Sequence, residues 1–157
     1  VWKLAVDSML GRNDKVEEGL RKILPDDHTY YETCGEPYAM FNSYLGKRTG
    51  YRAGKPGQSW RTASGQWLLY SVVRFIYGLQ PEFEGLLLRP CLPPAWKVCS
   101  VTKQFRGCEY RIHYVQKDEG GCNRIEKLTI NGVEANPDQP IRPIDGETLD
   151  IEVTLVK

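Results

Sequence analysis

One stretch constrains the fold more than any other: a polar loop that leads directly into a long apolar segment. Residues 57–66 are mostly polar or glycine, whereas nearly every residue in 67–79 is apolar. The exceptions in that segment, Ser71, Arg74 and Gly78, are spaced three and four residues apart and so share one side of a helix. The sequence therefore predicts a helix that is buried on nearly all sides.

The loop ahead of this helix carries the signals of a helix start that faces a ligand. Thr62 and Ser64 are residue types preferred at the N-cap, and Gly65 lets another group approach the backbone closely. The first backbone N–H groups of a helix lack internal partners and carry the positive end of the helix dipole, so they can hold an anion. A short polar loop capped by its own hydroxyls explains the same residues, and both interpretations stay open at this point.

Charge is distributed unevenly along the chain. No Asp or Glu occurs between Pro37 and Pro81, yet six of the chain's 21 basic residues fall there, so the rest of the chain is net negative. An anionic ligand is the simplest reason for such a cluster. The six basic residues are Lys47, Arg48, Arg52, Lys55, Arg61 and Arg74.

Size and composition limit the classes of function. A chain of 157 residues can bury a core as one domain or as two small ones, and 41% hydrophobic with 26% charged residues is typical of a globular protein. The net charge of +1 gives no general basic surface for nucleic acid. No apolar run approaches the roughly 20 residues of a membrane span. We therefore expect neither nucleic acid nor a membrane as a partner.

The cysteines favour a reducing compartment and no metal. Their number is odd, none forms a CxxC pair, and the sequence has no Asn-x-Ser/Thr site, which together favour the cytoplasm. His28 and His113 lie apart from any cysteine pair, so we expect no zinc or other metal site. The five cysteines are Cys34, Cys91, Cys99, Cys108 and Cys122.

The first 25 residues predict a helical hairpin. The chain opens on the apolar stretch 1–6 without a start methionine or a signal peptide, so we expect it to be a piece of a longer protein. Apolar spacing predicts a helix over residues 1–10 that stops at Gly11. Asp14 is the expected N-cap of a second helix, which runs to about residue 24 and is terminated by Pro25.

A third helix and a long loop are predicted before the central stretch. Pro37 suits the first turn of a helix, and Glu36 complements its dipole. Residues 47–58 are basic and rich in glycine, and they form a loop long enough to be functional. The expected buried face of the third helix consists of Met40, Phe41, Tyr44 and Leu45.

In the second half of the chain the hydrophobic period falls to two. Segments 98–106 and 108–115 predict adjacent strands about Gly107, and Asn131-Gly132 is a strong signal for a hairpin. Residues 148–156 predict the last strand. Prolines surround a further short strand at residues 85–88. This half therefore predicts an antiparallel β-module.

Several motifs, spaced along nearly the whole chain, resemble one enzyme family. Their order resembles the C-terminal end of the inverting β-glucoside phosphorylases, which include the cellobiose, cellodextrin and chitobiose phosphorylases. The motifs are Glu36-Pro37-Tyr38, the loop from Ser59 to Trp67, the exit from Ile76 to Pro81, the segment from Gly85 to Pro93, and Phe105-Arg106-Gly107 followed by Tyr110.

The resemblance implies an α+β fold with two parts. Residues 1–82 would be the last helices of an (α/α)6 catalytic barrel, and residues 83–157 an antiparallel β-sandwich module. Such enzymes cleave a β-linked gluco-oligosaccharide with inorganic phosphate and invert the anomeric centre to give an α-sugar 1-phosphate. One carboxylic acid protonates the leaving oxygen, and phosphate takes the place of water as the nucleophile. Phosphate is then a co-substrate, and no cofactor is expected.

The resemblance also assigns roles to individual positions. Thr62 and Ala63 fall where the family binds phosphate through a hydroxyl and a backbone N–H, although Ala63 stands in place of the usual glycine. Asn42 falls where relatives carry a longer amide that touches the donor sugar. The general acid of the family is an Asp in a tryptophan-containing loop upstream of residue 1. We therefore expect this chain to be inactive alone.

Other residues of the motifs have two interpretations each. Trp60 and Trp67 are candidates to stack on a sugar ring, or they belong to the core. Arg61 faces phosphate or the solvent, and Glu36 contacts an acceptor sugar or favours a helix start. His28 and His113 are expected at the surface or in the sheet.

The resemblance implies as partners an oligosaccharide, phosphate and the remainder of the barrel, with a homodimer of the parent enzyme among the alternatives. The alternative function is a non-catalytic carbohydrate-binding or interaction module. A carbohydrate-binding sheet would present an exposed aromatic platform, for which the second half offers only Phe105, Tyr110 and Tyr114 after Trp96.

Overall fold

The chain begins with a helical hairpin, as predicted. The computed structural model describes residues 1–24, 39–59 and 62–157. Helix α1 spans Trp2–Met9 and α2 spans Asn13–Ile23. Between them Gly11 has a φ of 67° and donates its N–H to the Ser8 carbonyl at 3.1 Å, which is the expected glycine stop. Because α2 begins at Asn13 after an Arg12 N-cap without a side-chain bond, Asp14 lies in the first turn and is not the cap.

The predicted third helix is wrong over the residues that the structure describes, and its predicted first turn at Pro37 lies outside them. Strand β1 spans Phe41–Tyr44 and pairs antiparallel with β2, Pro56–Ser59. The aromatic residues of β1 suit an extended strand, and the glycine-rich return brings β2 alongside. Of the expected buried face, Phe41 is buried whereas Tyr44 is exposed. Between the strands, 3-10 turns over Lys47–Arg52 are broken at Gly50.

The central stretch is helical, but it is not buried all round. Helix α3 spans Ser64–Ser71 and continues into a π-helical turn at Val72–Ile76, where the Tyr77 N–H bonds to the Val72 carbonyl at 2.8 Å. One side of this helix is buried, but Leu69 and Tyr70 on the other side are exposed. The predicted burial on nearly all sides is therefore wrong at Leu69 and Tyr70, because no described residue covers that side.

A short ribbon connects the helical part to the main sheet. Strand β3, Leu79–Pro81, pairs antiparallel with β4, Leu86–Leu88, and β4 makes an isolated bridge to Ile141. Leu79, Leu86 and Leu88 are buried. The strand predicted at residues 85–88 is confirmed.

Five strands form the main sheet, in the order β5-β6-β9-β7-β8. Two hairpins form as predicted: β5 with β6 about Gly107, and β7 with β8 about Asn131-Gly132. The strands are β5 Val98–Phe105, β6 Cys108–Gln116, β7 Arg124–Ile130, β8 Val133–Glu134 and β9 Thr148–Val156.

The sheet is mixed, which corrects the predicted antiparallel module. Strand β9 lies between β6 and β7, antiparallel to β7 and parallel to β6. One strand inserted between two strands of opposite direction must run parallel to one of them, so the parallel pair follows from the topology. The α+β class is confirmed, whereas the predicted boundary between residues 82 and 83 stays a prediction.

One face of the sheet is buried and the other is polar. Alternate residues of β6 and β9 are buried, and their neighbours include Arg111, His113, Asp150 and Glu152 on the outward side. The buried face joins the ribbon and the helices in one continuous core. The main inward residues are Tyr110, Ile112, Tyr114, Leu149, Ile151, Val153 and Leu155.

Candidate functional site

The candidate phosphate site lies at the start of α3. The Thr62 hydroxyl accepts the Ser64 backbone N–H at 3.0 Å and donates to the Ser64 hydroxyl at 2.8 Å. Ala63 is the N-cap, with φ −84° and ψ 0°, and its carbonyl accepts the first intrahelical bond from Trp67 at 2.9 Å. The loop is thus partly capped by its own hydroxyls. It also presents the N–H groups that precede that first bond.

A cleft of about 250 Å³ opens at this helix start. It brings Asn42 from β1 together with Thr62 and Ala63, which are separated from Asn42 by the whole arm between β1 and β2. The roles of these three residues stay predictions, but they share one cleft. Its lining consists of Val1, Trp2, Asn42, Thr62, Ala63, Ser64 and Trp67.

Two aromatic rings form one wall of the cleft. The rings of Trp2 and Trp67 have centroids 4.1 Å apart at an angle of 44°, and Trp67 also contacts Tyr70 edge-on at 5.4 Å. Trp67 is half-buried, whereas Trp2 is 64% exposed. The sequence identified Trp67 as a candidate but not Trp2, which contributed only to the apolar spacing that predicts α1. The place of Trp2 in the cleft wall follows only from its contact with Trp67, which is 65 positions away in the sequence.

Several predicted site residues lie outside the described ranges. Glu36, Trp60 and Arg61 belong to this group, and their roles stay predictions. His28 also lies outside them. His113 lies on the outward side of β6, where its Nδ1 is 2.8 Å from the Ser100 hydroxyl, in agreement with the expected place in the sheet.

The predicted cluster of basic residues divides into two places. Lys47, Arg48, Arg52 and Lys55 all lie in the arm between β1 and β2. Arg74 instead lies in the π-helical turn, with its guanidinium 5.9 Å from the Tyr70 ring centroid. It lines a different cleft, of about 500 Å³, where α1 meets residues 80–90. Of the described residues predicted to bind phosphate or sugar, none lines that larger cleft.

No described residue that lines the candidate cleft is a carboxylic acid. Asp7, which is buried in α1, lies outside this lining, and its pKa is lowered mainly by the hydrogen bond from Lys3. Within residues 1–24, 39–59 and 62–157, no group of three or more His, Cys, Asp or Glu side chains is arranged to hold a metal ion. In the same ranges, no helix has both the length and the hydropathy to cross a membrane.

Nearly the whole chain is similar to part of several known glycoside phosphorylases. It is 32% identical to the solabiose phosphorylase of Paenibacillus borealis over 98% of this chain and 20% of that enzyme. It is 31% identical to the N,N'-diacetylchitobiose phosphorylase of Vibrio furnissii over 88% of this chain and 18% of that enzyme. The cellobionic acid phosphorylase of Neurospora crassa is 28% identical over 92% of this chain and 18% of its own length.

The chain therefore spans about a fifth of the length of the curated relatives it matches. No protein-family model matches the chain. The resemblance to the β-glucoside phosphorylases, which the motifs predicted for a C-terminal portion, is confirmed.

Proposed function

We propose that this chain is the C-terminal part of an inverting glycoside phosphorylase, which cleaves a β-linked gluco-oligosaccharide with inorganic phosphate. The observation that carries the proposal is the cleft at the start of α3, which joins Thr62 and Ala63 to Asn42. Nearly full-length similarity of this chain to phosphorylases supports the same conclusion. The product is an α-sugar 1-phosphate, and phosphate is the co-substrate.

In this proposal the helix start holds the nucleophile. The Ala63 N–H and the dipole of α3 attract a phosphate oxygen, and the Thr62 hydroxyl supplies a second donor by turning its proton away from Ser64. Ser64 adds a further hydroxyl that the sequence analysis treated only as a cap. Asn42 contacts the donor sugar, and the wall of Trp2 and Trp67 limits the access of water.

The proton for the leaving oxygen comes from the remainder of the enzyme. Phosphate attacks the anomeric carbon from the face opposite the leaving group while a carboxylic acid protonates the glycosidic oxygen, so the configuration inverts. The family resemblance assigns that acid to sequence upstream of residue 1, and none of the described residues that line the cleft is a carboxylic acid. The isolated chain is then inactive.

The exposed apolar side of the helices supports docking against further helices. Val6 and Met9 are spaced three residues apart on α1 and are exposed, as are Leu69 and Tyr70 on α3. A group of large exposed apolar side chains is typical of a surface that contacts another part of a protein. In the proposal it packs against the other helices of an (α/α)6 barrel, while the β-module belongs to a C-terminal β-sandwich. A cytoplasmic location and a homodimer remain predictions.

The described main sheet offers no aromatic platform for the alternative of a carbohydrate-binding module. Tyr110 and Tyr114 are buried on the inward face, and the ring of Phe105 packs near Tyr110 at 6.3 Å. The outward positions of β5 and β6 are occupied by polar residues and valine. No observation therefore favours this function over the phosphorylase.

Replacement of Thr62 in the full-length enzyme tests the proposal. Thr62→Val keeps the shape of the side chain but removes a donor to phosphate, so it should raise the phosphate KM and lower kcat. Loss of one such hydrogen bond should change kcat/KM for phosphate by about 10-fold or more. Thr102→Val, at an exposed position of β5, is the matched control and should change neither constant.

Two results would contradict the proposal. Unchanged dependence on phosphate in Thr62→Val would remove the phosphate assignment. Release of sugar 1-phosphate by the purified chain would show that the general acid lies within it.

A further inference from the structure

We propose that a second cleft, at the opposite end of the helices from the candidate cleft, binds a phosphorylated sugar. It is the cleft of about 500 Å³ that Arg74 and Arg89 line, and it is called the arginine cleft below. No described residue lines both this cleft and the candidate cleft. A ligand in the arginine cleft is therefore separate from the phosphate and the sugar of the proposed function, and its binding does not depend on that function.

The same two helices form the two clefts at their opposite ends. The first residues of α1 and α3 line the candidate cleft, whereas the last turn of α1 and the π-helical turn after α3 line the arginine cleft. From Ser64 to Arg74 the chain rises by about 15 Å along the helix axis. Helix α1 contacts both α3 and the π-helical turn over this length. One small ligand therefore does not reach both clefts.

Arg74 is a positioned cation that lacks a carboxylate partner within the described part of the chain. Its guanidinium lies 5.9 Å from the Tyr70 ring centroid and 6.0 Å from the Phe75 ring centroid, and the two rings contact each other edge-on at 5.8 Å. The side chain is half-buried, and no described carboxylate forms an ion pair with it. Partial burial of an unpaired cation is unfavourable, and a phosphate group supplies the missing partner through the planar N–H groups of the guanidinium.

Arg89 supplies a second guanidinium that is already fixed in place. One of its terminal nitrogens donates to the Leu88 carbonyl at 3.2 Å and to the Pro137 carbonyl at 3.0 Å, and the other donates to the Asp138 carboxylate at 3.0 Å. A guanidinium has five N–H donors, so these bonds leave donors for a ligand. Asp138 lines only the neighbouring cleft, and no described residue that lines the arginine cleft is acidic. The lining is therefore positively charged.

The other side chains of the arginine cleft suit a sugar. Gln80 of β3 is half-buried and presents an amide, and Phe75 adds an aromatic ring. Asn123 donates its Nδ2–H to the Gly11 carbonyl at 3.1 Å, which leaves its own side-chain oxygen to accept a sugar hydroxyl. The volume lies in the usual range of small-molecule sites, about 300–1,000 Å³. Two guanidiniums, two amides and a ring fit a sugar phosphate better than a neutral sugar or phosphate alone.

Two sources supply such a ligand, and both carry a phosphate monoester. One is the α-sugar 1-phosphate that the proposed reaction forms, and the other is a sugar that a different enzyme has phosphorylated at another position. Calorimetric titration of the full-length enzyme with α-glucose 1-phosphate and with glucose 6-phosphate distinguishes them, because the tighter ligand identifies the source. Inorganic phosphate and glucose serve as the two partial probes, and each should bind at the arginine cleft about 10-fold or more weakly than the tighter sugar phosphate.

Two variants separate the arginine cleft from the candidate cleft. Arg74→Gln should weaken the binding of the sugar phosphate about 10-fold or more, because it removes a charge-assisted contact, and it should leave kcat and the phosphate KM unchanged. Thr62→Val, which lies in the candidate cleft, should keep the binding that Arg74→Gln removes. The control Arg142→Gln removes the same charge from an exposed position of the β-module and should alter neither binding nor kinetics.

A second variant keeps the test valid if circular dichroism shows that Arg74→Gln has lost its helices. Gln80→Leu keeps the charge of the cleft but removes an amide that contacts the sugar, so it should weaken the binding about 5-fold. Binding that both Arg74→Gln and Gln80→Leu leave intact would overturn the proposal, as would absence of sugar phosphate binding to Thr62→Val.

The remaining outcomes also decide the matter. Equal affinity for inorganic phosphate and for both sugar phosphates would show a site for phosphate alone and overturn a sugar ligand. An altered phosphate KM in Arg74→Gln would show that Arg74 acts at the candidate cleft, and the separate site would be refuted. Unchanged phosphate dependence in Thr62→Val would refute the phosphate assignment of the proposed function, while binding that is lost in Arg74→Gln would still support the arginine cleft.

Discussion

Gly78 packs directly against the backbone of Arg89. An ideal Cβ at position 78 would lie 2.1 Å from the Arg89 carbonyl carbon, and Arg89 donates its N–H to the Gly78 carbonyl at 2.9 Å. Gly78 also has a φ of 72°, which side chains of L-residues disfavour. This contact fixes the end of the π-helical turn on the segment that leads into the β-module.

Replacement of Gly78 should therefore destabilise the chain strongly. In Gly78→Ala the positive φ and the backbone clash add, and we expect the free energy of unfolding to fall by about 3 kcal/mol or more. Gly132 is a matched control, because its φ is 80° but no atom lies within 4 Å of its ideal Cβ. Gly132→Ala should lose only about 1 kcal/mol. Urea denaturation of the two variants checks the difference, and equal losses would contradict the role of the contact.

The hydroxyl of Tyr114 should stabilise the same junction. It donates to the Tyr77 carbonyl at 2.7 Å from a fully buried ring on β6. Tyr114→Phe leaves that carbonyl unpaired, so we expect the free energy of unfolding to fall by about 1–2 kcal/mol. Tyr70→Phe removes a hydroxyl from a side chain that is 46% exposed, and it should change the free energy of unfolding by less than about 0.5 kcal/mol. Thermal or urea unfolding distinguishes the two, and a neutral Tyr114→Phe would contradict the prediction.

Elements with a local signal were predictable from the sequence. The stop at Gly11 and the turn at Asn131-Gly132 require positive φ, and the structure has 67° at Gly11, 49° at Asn131 and 80° at Gly132. Each signal is contained in a few neighbouring residues. The helical hairpin, the β5/β6 and β7/β8 hairpins and the start of α3 were predicted for this reason.

Elements that depend on pairing between distant residues were not predictable from the sequence alone. Apolar residues at 40, 41, 44 and 45 fit a helical period, and only the pairing of Phe41 with Ser59 selects a strand. The insertion of β9 beside β6 likewise depends on a partner about 40 residues away, Ile112 opposite Ile151. In the site, the sequence placed Thr62 and Ala63 at a helix start, but the contact of Trp2 with Trp67 joins residues with no shared local pattern.

Buried thiols should make the chain sensitive to alkaline pH. Burial, followed by the negative charge of Asp7, raises the pKa of Cys91 to about 12, and burial raises the pKa of Cys99 to about 11, from the ordinary value of 9.0. Above pH 9 the unfolded chain loses thiol protons that the folded chain keeps, so stability is complete below pH 9 and falls as the pH rises towards 11–12.

The slope of this loss identifies the thiols. One such group lowers the free energy of unfolding by up to about 1.4 kcal/mol per pH unit in that window. In reducing buffer, Cys91→Ala should be less stable at pH 8 because it leaves a small cavity, yet it should lose stability less steeply between pH 9 and 11. Thr102→Ala removes no group that titrates there and should keep the wild-type slope. An identical slope in Cys91→Ala would contradict the prediction.

The backbone N–H of Ala63 should be the part of that residue that matters for phosphate. Ala63 has a φ of −84°, so neither a glycine nor a left-handed conformation is needed at this N-cap. In the full-length enzyme, Ala63→Gly keeps the N–H and should change the phosphate KM less than about 2-fold. Ala63→Pro fits a φ near −65° but removes the donor, and the loss of a charge-assisted hydrogen bond should raise the phosphate KM about 10-fold or more. Circular dichroism checks that the proline variant keeps its helices. If a folded Ala63→Pro binds phosphate as the wild type does, the N–H of residue 63 is not a phosphate ligand, and the site reduces to the hydroxyls of Thr62 and Ser64.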